Sequence, residues 1–266
     1  MEYIQSKDNK TIKRMVALSN RKYRQKYDEY VLEGIRSIRD VAKMGAIKVI
    51  VIRESKMKEH TIQELLSVSD IQSVPTYIVQ DPLFDKLENS VHGQGVMAIA
   101  NKPKYFIDDL RITDGLYVAL DGGVQDPGNL GGTIIRTAVA AGVKGIFSLK
   151  GTVDPFNNKT VRSTMSALHK IPLYEDVSLS EFYDVIREQR ITTYVTALEN
   201  SVPYQDIRYA SRSLLIFGNE GNGVSKEILD FSDYRISIPM YGDIESLNVS
   251  IAAALCMYKV QEQLIK

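Results

Sequence analysis

The second half of the chain alternates short apolar segments with helical ones, and this alternation restricts the possible folds more than any other feature. Apolar, often β-branched runs predict strands at residues 116–120, 145–149, 192–197, 214–217 and 234–238. The spacing of apolar residues predicts helices at residues 130–141, 181–189 and 247–264. Strands that alternate with helices indicate a parallel sheet with crossover connections. Ligands of such sheets bind beyond the carboxyl ends of the strands.

The first hundred residues also mix the two kinds of segment. Strands are predicted at residues 30–32, 47–52, 76–79 and 97–100, and helices at residues 36–44 and 61–67. The polar stretch that begins at Asn101 contains a proline and separates this part from the second half. The sequence therefore predicts two α/β domains, residues 1–100 and 114–266, joined by a linker at residues 101–113.

Composition indicates a globular protein and gives no sign of a membrane segment. The chain has 266 residues, of which 44% are hydrophobic and 25% charged. The longest apolar run spans residues 251–257, whereas a membrane helix needs about 20 residues. The N-terminus has no apolar signal core, and the single cysteine, Cys256, fits a reducing compartment. These features predict a cytoplasmic protein.

The charge is balanced overall but not locally. The chain has 33 basic and 33 acidic residues, which argues against a bulk polycation that coats nucleic acid. Residues 1–27 nevertheless carry eight basic and two acidic side chains, interleaved with Tyr23 and Tyr27. This segment is either a phosphate-binding arm or a solvated helix face. Composition alone does not choose between the two.

A glycine-rich stretch follows the first strand of the second half. Residues 120–138 contain five glycines but match neither the dinucleotide-binding pattern nor the phosphate loop of nucleotide-binding proteins. A helix that begins near residue 130 would place Asn129 near its cap and Arg136 about two turns in. Taken singly, Asn129 could simply cap the helix, and Arg136 could be a surface ion-pair residue.

Two further stretches follow later strands. Residues 218–223, Gly-Asn-Glu-Gly-Asn-Gly, require unusual backbone geometry, and Glu220 within them could contact a ligand or face solvent. In the third stretch Ser246 stands where a helix N-cap is expected, before the small residues 252–254. That helix suits the core, whereas the turn of residues 246–248, Ser-Leu-Asn, is the part with a functional interpretation.

The three stretches together resemble a known family. Residues 126–138 (Asp-Pro-Gly-Asn-Leu-Gly-Gly-Thr-Ile-Ile-Arg-Thr-Ala), 218–224 and 238–250 are similar to the ordered signature motifs of SpoU-type (TrmH-like) RNA ribose methyltransferases, which belong to the SPOUT superfamily. This resemblance covers residues 114–266. Residues 30–38 and 92–98 resemble the substrate-binding domain of the same family, over a shorter match.

The resemblance implies a fold, a cofactor and a partner. It implies a small α/β RNA-binding domain followed by a parallel-sheet SPOUT domain with a deep trefoil knot. Members act as homodimers with the knot region at the interface, and their methyl donor is S-adenosylmethionine. By match to the motifs, the backbones of Gly218, Ile238 and Leu247 contact its adenosyl part. The matched catalytic set is Arg136, Asn129, Glu220, Ser246 and Asn248.

The implied reaction is attack of a ribose 2′-hydroxyl on the sulfonium-bound methyl group. The protein would position the reactants and help the hydroxyl to lose its proton. Arginine stays protonated in proteins, so Arg136 would hold a phosphate or stabilise the developing alkoxide rather than act as a base. Glu220 would order its loop or take part in the proton transfer.

The RNA contacts are implied less directly. The first domain and the basic residues Lys10, Lys13, Arg14 and Arg24 are expected to bind the RNA. Arg162 and Ser166 match a segment that lines the substrate groove, whereas His169 is expected to be a packing or surface residue. No metal site is expected. The predicted substrate is 23S ribosomal RNA. The same reaction on transfer RNA, a resistance methyltransferase and a non-catalytic RNA-binding module are the alternatives.

Overall fold

Two sheets organise the described residues of this computed structural model, which are 1–88, 93–219 and 221–265. They belong to two units of the chain. The first unit comprises Met1–Pro103 together with Asp154–Ser166, and the second comprises Lys104–Val153 together with Ala167–Lys266. The domain limits proposed from the sequence stay a prediction, and nothing in the local sequence pattern indicated that residues 154–166 belong to the first unit.

The sheet of the first unit has five strands in the order β1-β4-β3-β5-β2. Strands β1, β4 and β3 run parallel, and β5 pairs antiparallel with both β3 and β2. The strands are β1 (Glu2–Ile4), β2 (Glu29–Glu33), β3 (Ile47–Arg53), β4 (Thr76–Val79) and β5 (Val96–Asn101).

The described residues of the first unit form seven helices, numbered here in chain order. They are α1 (Lys10–Ala17), α2 (Arg21–Tyr27), α3 (Ile35–Ala42), α4 (His60–Leu66), α5 (Ser69–Gln72), α6 (Asp81–Phe84) and α8 (Asn158–Thr164). Ile12 and Met15 lie three positions apart, on one face of the short amphipathic helix α1, and join a core with Val51 and Phe84. The basic N-terminal segment is therefore a folded part of this unit.

The sheet of the second unit has seven strands, all parallel, in the order β10-β12-β9-β11-β6-β7-β8. The predicted parallel α/β sheet is confirmed. The strands are β6 (Gly115–Leu120), β7 (Gly145–Leu149), β8 (Leu173–Val177), β9 (Thr192–Thr196), β10 (Val202–Pro203), β11 (Arg212–Phe217) and β12 (Tyr234–Ser237).

The helices of the second unit cover this sheet. A π-helical segment (Gly128–Ile135) runs directly into α7 (Arg136–Ala140), and α9 (Leu179–Glu188), α10 (Lys226–Phe231) and α11 (Val249–Leu264) follow. A capping box between Ser178 and Glu181 starts α9. The core includes Phe147, Phe182 and Ile216, each fully buried. None of the helices in the described ranges is long and apolar enough to cross a membrane.

Candidate active site

The glycine-rich stretches lie at the carboxyl ends of neighbouring parallel strands. Strands β6 and β11 are paired in register up to Leu120 and Phe217, and the backbone N–H of Asp121 donates to the Phe217 carbonyl at 2.9 Å. Strands β7 and β8 lie on one side of β6, and later strands are added beyond β11 on the other. The loops after β6 and β11 therefore meet where the strand order reverses, the usual place of a ligand site.

The loop after β11 is a tight turn that Asn219 holds together. The backbones of Asn219 and Gly223 form two hydrogen bonds of 2.9 Å, and the Asn219 carboxamide oxygen accepts from the N–H groups of Gly221 at 2.7 Å and Asn222 at 3.1 Å. Its Nδ2 donates to the carbonyl of Gly123 at 2.5 Å. One side chain thus closes the second stretch and fastens it to the first.

Two glycines are required by this close approach. A Cβ on Gly218 would lie 2.2 Å from the carbonyl oxygen of Gly223, and one on Gly123 would lie 2.3 Å from the Cβ of Asn219. Real side chains do not tolerate such contacts with backbone or Cβ atoms. The glycines that suggested a ligand site in the sequence therefore serve first to bring two loops together.

The helix that carries Asn129 and Arg136 departs from the expected one. Its first eight residues, Gly128–Ile135, are π-helical, and only from Arg136 onward is it an α-helix. Such π-helical turns occur frequently at functional sites. The backbone N–H of Asn129 donates to Asp126 Oδ1 at 2.8 Å. The carboxylate of Asp126, not the Asn129 side chain, therefore accepts the hydrogen bond of an N–H group that is unpaired within the first turn of this helix.

The first and third stretches meet through two asparagines. Nδ2 of Asn248 lies 3.3 Å from Oδ1 of Asn129, and the Ser250 hydroxyl lies 2.6 Å from Oδ1 of Asn248. Asn248 also caps α11, because its Oδ1 accepts from the backbone N–H of Ser250 at 2.9 Å. The expectation that Ser246 is the N-cap is wrong. The cap falls two residues later, and Ser246 is exposed in the preceding turn.

Arg136 is available to a ligand. It is exposed at the first position of α7, and within residues 1–88, 93–219 and 221–265 no group accepts a hydrogen bond from it or forms an ion pair with it. Glu220, the fifth predicted catalytic residue, lies outside the described residues. The structure thus brings Asn129 and Asn248 into contact, and it records no contact of Arg136 or Ser246 with them.

An apolar cavity of about 380 Å³ lies beside the end of β12. Its lining includes two of the three predicted cofactor contacts, Ile238 and Leu247, together with Met240 and Leu255. Cavities lined mostly by apolar side chains suit aromatic ligands, whose edges then bond to backbone groups. An adenine ring fits this chemistry. Gly218 is not among the lining residues, and it is buried in the turn after β11.

Two residues expected to contact RNA are buried. Arg24 is 4% exposed and donates to Asp154 Oδ2 through Nη2 at 2.6 Å and to the carbonyl of Leu18 at 2.7 Å. Ser166 is 3% exposed and donates to Asp40 Oδ2 at 2.7 Å. Both predictions are wrong, because each polar group is already bonded inside the first unit and does not reach solvent.

The other predicted RNA contacts differ in exposure. Arg14 is partly buried, lies over the ring of Tyr27 and donates to Glu29 at 2.7 Å. Arg162 is partly buried 3.6 Å from a carboxylate oxygen of Glu33. Lys13 pairs with Asp8 but stays largely exposed, as does Lys10. The two lysines are therefore exposed enough to contact RNA, whereas the two arginines are partly buried beside carboxylates.

His169 is a candidate titrating group, and the acidic side chains are candidate metal ligands. Burial lowers the pKa of His169 to about 4, so this imidazole is neutral at pH 7 and partly buried, as the packing interpretation expects. Among the described residues, no group of three or more histidine, cysteine, aspartate or glutamate side chains could hold a metal ion.

The sequence interpretation missed the residues that join the loops. Asp121 accepts from the backbone N–H of Ser225 at 2.7 Å, and Asn219 and Ser250 make the contacts given above. A signal was present for Asn219, since an asparagine inside a glycine-rich turn is typical of a side chain that bonds its own loop. Asp121 and Ser250 had no such signal, because their partners are distant in sequence or hidden in an ordinary cap.

Comparisons with known proteins agree with this geometry. The model of the SpoU rRNA Methylase family matches residues 115–258, and that of the MRM3-like substrate binding domain matches residues 9–98. The chain is 32% identical to the 23S rRNA (guanosine(2553)-2′-O)-methyltransferase RlmP of Bacillus subtilis (strain 168) over 98% of this chain and 100% of that protein.

Solved structures are similar over nearly the whole chain. The AdoMet-bound rRNA methyltransferase from Sinorhizobium meliloti has a TM-score of 0.88 and 29% identity, covering 100% of this chain and 99% of that one. The SpoU methyltransferase AviRb from Streptomyces viridochromogenes, in complex with AdoMet, has a TM-score of 0.85 and 26% identity, covering 97% and 98%. The chain is a member of the SpoU rRNA Methylase family and an RNA methyltransferase.

Proposed function

We propose that this enzyme transfers a methyl group from S-adenosylmethionine to a ribose 2′-hydroxyl of 23S ribosomal RNA. The name of the Bacillus subtilis relative, which matches across 98% of this chain, supports both the reaction and the substrate. The similarity to structures that hold AdoMet supports the cofactor. The match of residues 9–98 to a substrate-binding domain supports RNA recognition by the first unit.

The observation that carries the proposal is the contact between Asn129 and Asn248 at 3.3 Å. It joins two motifs that are 119 residues apart, at the edge of the sheet where a ligand is expected. Two carboxamides at the head of two helical segments can each donate and accept hydrogen bonds. Such groups can hold a ribose and its phosphate without charge of their own.

The cofactor fits beside this contact. When bound, S-adenosylmethionine supplies a methyl group already activated by the sulfonium charge. Ile238 and Leu247 would contact its adenosyl part in the apolar cavity. Gly218 would contribute a backbone group from the tight turn after β11, where no Cβ can be accommodated.

Arg136 and Glu220 complete the proposed site. The exposed guanidinium of Arg136 would bind the phosphate next to the target ribose or stabilise the alkoxide that forms as the hydroxyl loses its proton. It would not accept that proton, because arginine remains protonated. Ser246, exposed in the turn before α11, would contact the substrate. Glu220 would order its loop or assist the proton transfer.

A methyl-transfer assay tests the proposal. The protein and its Arg136→Ala variant are incubated with labelled S-adenosylmethionine and undermethylated ribosomal or transfer RNA. The modified linkage is mapped by its resistance to alkaline cleavage, which requires a free 2′-hydroxyl. Arg212→Ala is the matched control, since Arg212 is also partly exposed but pairs with Asp114 at 2.9 Å at the opposite end of β11.

The possible outcomes of the assay distinguish the candidate functions. We expect one protected linkage in 23S RNA with the wild type and the control, and a loss of about 100-fold with Arg136→Ala, typical of an electrostatic contact in a transition state. Label on transfer RNA alone would overturn the substrate. Cofactor binding without transfer to either RNA would indicate a non-catalytic RNA-binding module.

We further propose that the enzyme is a homodimer with a trefoil knot in its second unit and a cytoplasmic location, where ribosomal RNA is found. An exposed apolar stripe on α11 supports the dimer. Ile251, Leu255 and Tyr258 are 48%, 40% and 52% exposed, at a spacing that puts them on one face of the helix. Adjacent large apolar side chains on one face are typical of protein–protein interfaces.

A further inference from the structure

A buried hydroxyl group lies behind the two asparagines. Ser250 is the second residue of α11 and only 3% exposed. Its Oγ lies 2.6 Å from Oδ1 of Asn248 and 3.4 Å from Oδ1 of Asn129. Capping of the helix requires only the backbone N–H of Ser250, which already donates to Asn248 at 2.9 Å. The hydroxyl is therefore an additional contact that the cap does not need.

The direction of these hydrogen bonds fixes both carboxamides. Oδ1 of Asn248 accepts from the backbone N–H and faces the hydroxyl of Ser250, so a rotated carboxamide would turn its own donors toward a donor. Nδ2 of Asn248 must then face Asn129, whose Oδ1 accepts from it at 3.3 Å. Oδ1 of Asn129 thus faces α11, where Nδ2 of Asn248 and the Ser250 hydroxyl both approach it.

We infer that Ser250 is a positioning residue for methyl transfer, one that holds the carboxamides of Asn248 and Asn129 in a single orientation. This inference rests on the proposed function of the site. The hydroxyl lies between the two carboxamide oxygens and cannot reach a substrate itself, because the side chain is buried. Its loss would leave the helix cap in place and would remove the hydroxyl contacts with the two carboxamide oxygens.

The Ser250→Ala variant of the full chain tests this inference. We expect kcat to fall about tenfold while the Kd for S-adenosylmethionine stays within about twofold, because a small misplacement of reacting groups costs rate rather than cofactor affinity. Steady-state methyl transfer to 23S RNA gives kcat, and calorimetry with S-adenosylmethionine alone gives Kd. Circular dichroism and thermal unfolding check that α11 is intact.

Ser213→Ala is the matched control. Ser213 is fully buried in the same unit and donates to the carbonyl of Ala210 at 2.7 Å, near the opposite end of β11. Its loss also removes the hydrogen bonding of a buried serine hydroxyl, so it reports what a merely structural serine contributes. We expect this variant to unfold at a lower temperature but to retain kcat.

A double-mutant cycle separates positioning from general destabilisation. If Ser250 acts through Asn129, Ser250→Ala should cost little further rate once Asn129 is already alanine. Equal costs in both backgrounds, or an unchanged kcat in Ser250→Ala, would overturn the inference while an active wild type left the proposed function intact. An inactive wild type would overturn both.

Discussion

At the level of single residues, Gly218 links the tight turn after β11 to the proposed cofactor site. Its missing side chain leaves room for the carbonyl of Gly223, 2.2 Å from where a Cβ would lie. We expect Gly218→Ala to lower the free energy of unfolding by about 1–3 kcal/mol and to weaken binding of S-adenosylmethionine, because the backbone must move. Denaturant unfolding and calorimetry measure the two effects.

Gly221→Ala in the same turn is the control for that substitution. Its Cβ would lie 3.3 Å from a single side-chain atom, Oδ1 of Asn219, so only a small adjustment is needed. We expect this variant to bind S-adenosylmethionine almost as the wild type does. Equal loss of binding in both variants would mean that the whole turn, rather than the space at Gly218, governs the cofactor site.

The motifs pointed to Asn129 and Asn248, whose catalytic roles stay a prediction, whereas the sequence did not show which side chains a distant partner buries. Asn129 and Asn248 stand in the motifs, and the structure brings them together. Arg24 belongs to a run of basic residues, yet it is buried against Asp154, which lies 130 positions away in the sequence. Charge counted along the chain cannot distinguish a solvated arginine from one that a distant carboxylate binds.

At the level of elements, nine strands of the described residues were predicted, whereas β1, β8 and β10, which all lie at an edge of their sheet, were not. Strand β8 (Leu173–Val177) contains Glu175 and Asp176, residues that are depleted in strands. It tolerates them because it lies at the edge of the sheet, where its pairing with β7 is also irregular. The π-helical segment was read as an α-helix, since no sequence pattern separates the two.

The contact of α2 with residues 154–166 leads to a prediction at this scale. Arg24 and Asp154 form a buried ion pair within the first unit, with N and O 2.6 Å apart. We expect Arg24→Ala to lower the free energy of unfolding by about 3–5 kcal/mol, because it leaves a carboxylate buried without its partner. Chemical denaturation followed by circular dichroism measures this.

Lys13→Ala is the control, because Lys13 and Asp8 form a pair of similar length, 2.7 Å, between side chains that are 62% and 69% exposed. Exposed pairs contribute less than about 1 kcal/mol, so stability should hardly change. Arg24→Ala with the stability of the wild type but weaker RNA binding would contradict the structural role and restore Arg24 as an RNA contact.

At the level of the whole molecule, the sequence indicated two α/β parts but gave no sign that residues 154–166 belong with the first. Residues 154–166 follow a strand of the second unit and yet belong to the first. The buried contacts of this segment, Asp154 with Arg24 and Phe156 with Tyr30, place it there. Such long-range pairings depend on tertiary packing, which the local periodicity of a sequence does not record.

The proposed dimer gives the last prediction. The α11 stripe exposes Ile251, Leu255 and Tyr258, and burying three such side chains at a symmetric interface would contribute several kcal/mol. A carboxylate in the middle of the stripe would have to be desolvated against its symmetry mate. We therefore expect Leu255→Glu to be monomeric, whereas the wild type has the mass of two chains in sedimentation or light-scattering measurements.

Val16→Glu is the control that tests whether an added carboxylate anywhere on the surface would prevent dimerisation. Val16 lies on α1 in the first unit and is 55% exposed, so the same substitution there leaves the α11 stripe untouched. We expect that variant to remain a dimer. Because Leu255 also lines the cavity beside β12, the monomeric variant should bind S-adenosylmethionine more weakly as well. A wild type that sediments as one chain would exclude the dimer and leave the stripe for another partner.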